Sequence, residues 1–293
     1  MSRAVELSRD AELLFVEPFY GGSHRTFADT LIEGIGGGAR WSLVTLPDRH
    51  WKWRMRGSAL AVAEQIAGRS FDLVFATSML PLAELAGLAP QLARVPKVLY
   101  FHENQFAYPA SPAPAENPER DFDYAFVQFA AAAAADACWF NSAFNRDSFL
   151  AGARALLRRL PDARPRAALE RMEGRAEVFP LPLQLPAFET LASEDTAAGP
   201  FVLWNHRWEH DKNPDAFFGA LEVLREDGVP FRLAVCGESY REQPASFERA
   251  RHALADRIVH WGFCEDRAEY LGLLRRADLV VSTALQELSL IHI

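Results

Sequence analysis

The feature that most limits what this chain can fold into is an alternation, and it occurs twice. Short runs that are apolar along their whole length take turns with longer stretches that are apolar at helical spacing. In the first half the short runs begin at Glu12 (ELLFVE), Trp41 (WSLVTL), Asp72 (DLVFAT), Lys97 (KVLYF), Ala137 (ACWFN) and Ala176 (AEVFPL). Helical patterns occupy 23–35, 57–67, 80–89, 123–136 and 142–160 between them. Strands that alternate with helices predict a parallel sheet with right-handed crossovers, and uniformly apolar strands predict a sheet covered on both faces. A polar, proline-punctuated stretch follows, LPAFETLASEDTAAGP at 185–200, and then the alternation restarts. Its strands begin at Phe201, Phe231, Arg257 and Asp278, and its helices at Pro214, Pro244 and Arg267. The expectation is an α/β chain of two Rossmann-like domains, 1–190 and 191–293, whose parallel sheets face a cleft. The second has only four strands and no closing helix, and its final residues, LSLIHI, follow neither period. It therefore reads as cut short after Glu287.

In such sheets ligands bind beyond the carboxyl ends of the strands, so polar groups placed there are the candidates. The strongest stretch is LWNHRWEHDKNPDAFF at 203–218. A strand ends, Arg207 and Lys212 follow in a loop, and Asn213 is expected as N-cap with Pro214 in the first helical position. Two cations beside a helix N-terminus form an anion site that can neutralise a departing diphosphate without a metal. Next is VLYFHENQFAYP at 98–109, where a buried strand delivers His102, Glu103 and Asn104 to its end. These three read as site residues or as loop-bracing hydrogen-bond partners. Third is EPFYGGSH at 17–24. Gly21 and Gly22 permit a close backbone approach, and Ser23 is placed to cap the next helix. The spacing is that of neither a dinucleotide nor a P-loop fingerprint. Glu287 after STALQ would be a carboxylate at a strand end, suited to sugar hydroxyls.

Composition narrows the partners. The net charge of -8 argues against a nonspecific nucleic-acid binder, yet two stretches are locally basic. RHWKWRMR places Trp51 and Trp53 among Arg49, Lys52, Arg54 and Arg56, a mixture of stacking rings and phosphate-binding charges that suits an unstacked nucleic-acid loop. The second, at 154–175, reads equally as a solvated helix pair or a phosphate contact. No apolar run is long enough for a membrane span. The three cysteines form no CxxC and leave an odd count, which suits reduced thiols in the cytoplasm. No Cys/His metal spacing is legible, and the DxD match at Asp121 to Asp123 opens a helical pattern rather than closing a strand.

EPFYGGSH, LPDRHWKWRMR, YFHENQFAYP, NSAFNRDSFL, HRWEHDKNP and STALQE occur here in one order, and in that order they resemble the tRNA-queuosine mannosyltransferase family. That family is similar to retaining GT-B glycosyltransferases of the family-4 type. The resemblance implies transfer of mannose from GDP-mannose onto queuosine in the anticodon of tRNA-Asp, with retained configuration and no metal or other cofactor. It implies Arg207 and Lys212 as the diphosphate-binding pair and His102 as a contact to the sugar hydroxyls. It also implies Glu287 as the first glutamate of an EX7E motif, with Gly21 and Gly22 as the glycine loop. The second glutamate of that motif would fall beyond Ile293. Two other readings stay open: a GT-B enzyme with a small-molecule or lipid acceptor, and a non-catalytic tRNA-binding protein.

Overall fold

A computed structural model describes residues 10–35, 39–107, 118–182, 199–238 and 244–285, and the backbone alone of 118–122. The chain divides into two compact units at Gln184/Leu185. The first carries six parallel strands, β1 (Glu12–Tyr20), β2 (Arg40–Pro47), β3 (Leu73–Thr77), β4 (Lys97–Phe101), β5 (Ala137–Phe140) and β6 (Ala176–Val178). They lie in the order β2-β1-β3-β4-β5-β6. Helices α1 (Gly22–Gly34), α2 (Trp51–Gln65), α3 (Leu82–Leu88), α4 (Pro118–Ala134), α5 (Ala143–Arg159) and α6 (Arg166–Glu173) connect or flank them. The strand order reverses between β1 and β3, so the crevice at their carboxyl ends is where a ligand is expected.

The second unit has β7 (Phe201–Asn205), β8 (Arg232–Cys236), β9 (Ile258–Gly262) and β10 (Leu279–Val280), with α7 (Pro214–Glu226), α8 (Ser246–Ala253) and α9 (Arg267–Arg276). All pairings are parallel in the order β10-β7-β8-β9, which places the switch point between β7 and β10.

One local device recurs. Asp72, Asp136 and Asp278 each stand just before a strand and accept the backbone N–H that opens the neighbouring strand. Asp72 takes it from Glu12, Asp136 from Lys97 and Asp278 from Phe201, at 2.8–2.9 Å. Parallel strands share no hairpin turn to set their alignment, and these carboxylates pin it at the amino ends. Side chains from both strand faces then pack under helices. Leu14, Val16 and Phe101 face one side and Phe15, Phe75 and Tyr100 the other, all buried, as two-sided cover requires. Trp204, Phe217, Phe218 and Phe247 fill the larger core of the second unit, and burying each such ring stabilises the fold by roughly 1.5–3 kcal/mol.

Two sequence expectations need correction. Helix α2 begins at Trp51, not Gly57, so the basic-aromatic run forms its first turns. Its buried positions Met55, Ser58, Ala59 and Val62, with half-buried Trp51, are helically spaced; the intervening cations disguised the pattern. Helix α1 is capped by the backbone at Gly21, which leaves Ser23 inside the helix. Asn213 occupies the N-cap position of α7 with Pro214 in the first helical position, as expected, although its backbone is left-handed (φ 49°) and its side chain makes no capping bond.

Candidate functional site

In the first unit the polar groups gather at the carboxyl ends of β1 and β4. Glu17 lies in β1 and is fully buried, an expensive place for a carboxylate unless it is paired. Its Oε1 accepts the Phe19 backbone N–H at 2.9 Å, and its Oε2 lies 3.3 Å from His24 Nδ1 and 3.9 Å from His102 Nε2. The 3.3 Å contact is an ion-pair distance without hydrogen-bond alignment. His24, in the first turn of α1, and His102, just past β4, have ring centroids 4.2 Å apart.

The two imidazoles are driven in opposite directions. Burial opposes charge on His24, but the Glu17 carboxylate, helped by Glu103, outweighs it and raises the proton affinity above the usual 6.5. Burial, reinforced by the charge on His24, pushes His102 well below that value. The arrangement sets His24, whose protonated form the Glu17 carboxylate favours, beside His102, whose neutral form burial favours and whose Nε2 is buried without a hydrogen-bond partner. That nitrogen can serve a ligand hydroxyl. The same three side chains offer one oxygen and two nitrogens within 4.8 Å of one another. A cation there would compete with the proton that Glu17 favours on His24.

A brace of asparagines fixes His102. Asn141 Nδ2 donates to the His102 carbonyl at 2.6 Å, and Asn145 Nδ2 donates to Asn141 Oδ1 and to the Phe101 carbonyl. Ser142 caps α5 by accepting from the Asn145 N–H. Asn104 is fully buried and donates to Asn145 and Ser148 while accepting from the Ala107 N–H. Of the two sequence readings for Asn104, loop bracing is therefore the one realised. Gly21 and Gly22 have intramolecular reasons: a side chain on Gly21 would collide with Asp48, and Gly22 has φ +50°.

The basic-aromatic face lies on α2. His50, Trp51, Lys52, Trp53, Arg56 and Tyr124 line an open hollow of about 520 Å3. Arg56 pairs with Asp123 at 2.6 Å and lies over the Tyr124 ring, and Lys52 lies over Trp51. Arg54 donates to the Pro47 carbonyl, Arg49 is exposed, and Trp53 is 66% exposed. Asp123, one of the DxD acids, is thus a helix-borne partner of Arg56.

In the second unit Arg207 and Lys212 lie in the loop between β7 and α7, at the β7/β10 switch point. The structure brings both there, each beside a carboxylate. Arg207 is 3.3 Å from Glu209 and half exposed, whereas Lys212 is 3.0 Å from Asp211 with its side chain 10% exposed. The lysine is the more rigidly held of the two. The segment after β10 is tied to this loop: Thr283 Oγ1 donates to the Lys212 carbonyl at 2.9 Å, and the Leu285 N–H donates to the Asp211 carbonyl. Gly237, after β8, lies so close to the His206 carbonyl that any Cβ would collide with it. The Asn213 side chain makes no capping bond to α7, and Pro214 in the first helical position has no N–H to satisfy. Glu287 lies outside the described residues.

The sequence model of the tRNA-queuosine alpha-mannosyltransferase N-terminal family matches residues 12–183. The chain belongs to that family. The tRNA-queuosine alpha-mannosyltransferase of Drosophila melanogaster is 40% identical over 282 residues, covering 93% of this chain and 73% of that protein. Among solved structures, the lipopolysaccharide outer core galactosyltransferase WaaB superposes with a TM-score of 0.58 at 10% identity, covering 95% of this chain and 75% of that one. An alpha,alpha-trehalose-phosphate synthase from Burkholderia vietnamiensis does so with a TM-score of 0.58 at 12% identity, covering 95% and 78%. Those likenesses establish the GT-B glycosyltransferase fold, in agreement with two parallel-sheet α/β units. Among the described residues no helix is long and apolar enough to cross a membrane.

Family motifs now have physical content. EPFYGGSH supplies Glu17 and His24, which the sequence reading left out of the site. The signal was present: an acid inside an otherwise apolar strand has to be buried with a partner. NSAFN is the asparagine brace behind His102, and HRWEHDKNP is the cation loop at the second switch point.

Proposed function

We propose that the protein transfers mannose from GDP-mannose to the cyclopentene-diol of queuosine in tRNA, with retention of configuration, and acts in the cytoplasm. The observation that carries this reading is a 40% identity running through both units to a tRNA-queuosine alpha-mannosyltransferase. The cation loop supports it. Arg207, Lys212 and the start of α7 would take up the charge that grows on the departing diphosphate, without a divalent cation. The bond from the sugar C1 to the phosphate oxygen breaks as the bond from C1 to the acceptor oxygen forms on the same face, and the acceptor proton passes to the departing phosphate oxygen. His102, neutral and braced, would accept or donate one hydrogen bond to a sugar hydroxyl. Arg49, Lys52, Arg54 and Arg56, with the exposed ring of Trp53, would hold the anticodon loop.

The test is incubation with GDP-[14C]mannose and tRNA-Asp either carrying or lacking queuosine. Label is expected only in the modified tRNA. Label on neither tRNA, or equal label on both, would reject the proposed acceptor; tRNA binding without any donor turnover would favour a non-catalytic protein. A second expectation concerns the α2 face. Trp53→Ala removes an exposed ring, so the fold should be unchanged, while loss of one base stack of about 1–3 kcal/mol should raise the Kd for tRNA about 10-fold. Filter binding at fixed salt measures it, and an unchanged Kd would remove Trp53 from the tRNA surface.

A further inference from the structure

We propose that Cys236, His260 and Cys264 in the second unit bind one zinc ion, with Glu269 orienting the imidazole. The three donors come from the end of β8, from β9 and from the segment after it, and their Sγ, N and Sγ atoms lie within 4.8 Å of one another. Cys264 Sγ is 3.2 Å from His260 Nε2. A tetrahedral zinc with its usual bond lengths sets sulfur and nitrogen about 3.5 Å apart and two sulfurs about 3.8 Å apart, so small side-chain movements complete the set. On the far side of the ring, His260 Nδ1 is 3.6 Å from the Glu269 carboxylate in the first turn of α9. The carboxylate stands on the side of the ring where a ligating imidazole takes its orienting partner and needs only a small approach to bond Nδ1. Nε2 also lies 3.1 Å from the Gly262 carbonyl, a contact that an ion would replace.

Linear spacing hides this set, because an irregularity in the sheet creates it. β8 and β9 pair Leu233 with Ile258 but Ala234 with His260, skipping Val259. In regular register Cys236 would lie opposite Trp261, and His260 would point to the other face of the sheet. The extra residue instead pairs Cys236 with Gly262 and turns His260 onto the cysteine face. A Cβ on Gly262 would meet nothing within 4 Å, so the position beside the donors is open. Cys236 is buried, but His260 and Cys264 are partly exposed, which gives an ion a route in.

Binding exchanges two thiol protons for the ion. Burial, reinforced by Cys264, pushes Cys236 up to about 12, and burial raises Cys264 as well. Zinc therefore displaces protons from both sulfurs, and affinity should climb with pH. The exchange needs no oxidant, only reduced cysteines.

The experiment uses the full chain, reduced and stripped of metal, titrated with Co2+ and then competed with Zn2+. One equivalent of Co2+ should produce thiolate-to-cobalt absorption, and Zn2+ should abolish it. Cys264→Ser should weaken Zn2+ binding about 100-fold and Glu269→Gln about 10-fold, while Cys138→Ser, buried in the core of the first unit, should change nothing. Substitutions at Cys264 and Glu269 leave the buried Cys236 intact, and circular dichroism checks the fold of each. Absence of a saturable thiolate band, or a band that survives Cys264→Ser unchanged, would overturn the proposal.

Discussion

Arg207→Ala should lower mannosyl transfer by about 10^3-fold while tRNA binding stays within a few-fold of wild type. Loss of one preorganised group aimed at developing charge commonly costs 10^2–10^3 in turnover, and a guanidinium offers two donors plus a full charge. Arg207 is half exposed, so its removal creates no cavity and the protein should remain folded. The effect should fall on kcat as well as on donor affinity, because the charge to be neutralised is larger in the transition state than in bound GDP-mannose. Glu209, paired with Arg207 at 3.3 Å, would then stand unopposed near the diphosphate and add to the loss. Mannose incorporation into tRNA measures the effect. Activity within a few-fold of wild type would take Arg207 out of the reaction.

Glu17→Ala should be the most damaging single change in the first unit, costing about 3 kcal/mol because the Phe19 N–H and His24 Nδ1 both lose their carboxylate partner and His24 must give up its proton. For a unit of this size that is a fall in Tm of roughly 10 °C. The pH dependence identifies the cause. In the wild type His24 has a raised affinity for its proton, so its stabilising contribution is complete below the ordinary 6.5 and is lost as pH rises through the folded-state value. His102 is depressed, so below 6.5 the unfolded chain takes up a proton that the native protein refuses, and acidification costs stability. Without Glu17 both histidines are buried neutral, apart from the weaker pull of Glu103 on His24. The Tm of Glu17→Ala should therefore fall more steeply than the wild type's on acidification through pH 6.5. Parallel Tm–pH curves would mean that Glu17 holds no proton on His24.

The alternation of apolar runs and helical patterns was enough to read two parallel-sheet units, because buried parallel strands are written as uninterrupted apolar segments. The places of His102 and Arg207 just beyond strand ends were legible for the same reason, and Lys212 lies farther along the loop that follows β7. What stayed hidden depends on contacts between distant segments. Glu17 and His24 become a pair only when α1 folds back over the end of β1. Cys236 and His260 share a face only because β9 carries an extra residue against β8. The cap of α1 was misread because Gly21, with no side chain to announce it, takes the N-cap position ahead of Ser23, whereas the Asn-Pro pair at the start of α7 was legible.

A diphosphate held by side chains and a helix end, rather than by a bridging divalent cation, should bind without added metal. Calorimetric titration of GDP into the protein without added Mg2+ or Mn2+, beside the same titration into Arg207→Ala, tests it most directly. The account predicts saturable binding to the wild type at one site, weakened at least 10-fold in the variant and unaltered by Mn2+. Binding that appears only after Mn2+ or Mg2+ is supplied, or that is equally tight in the variant, would contradict it.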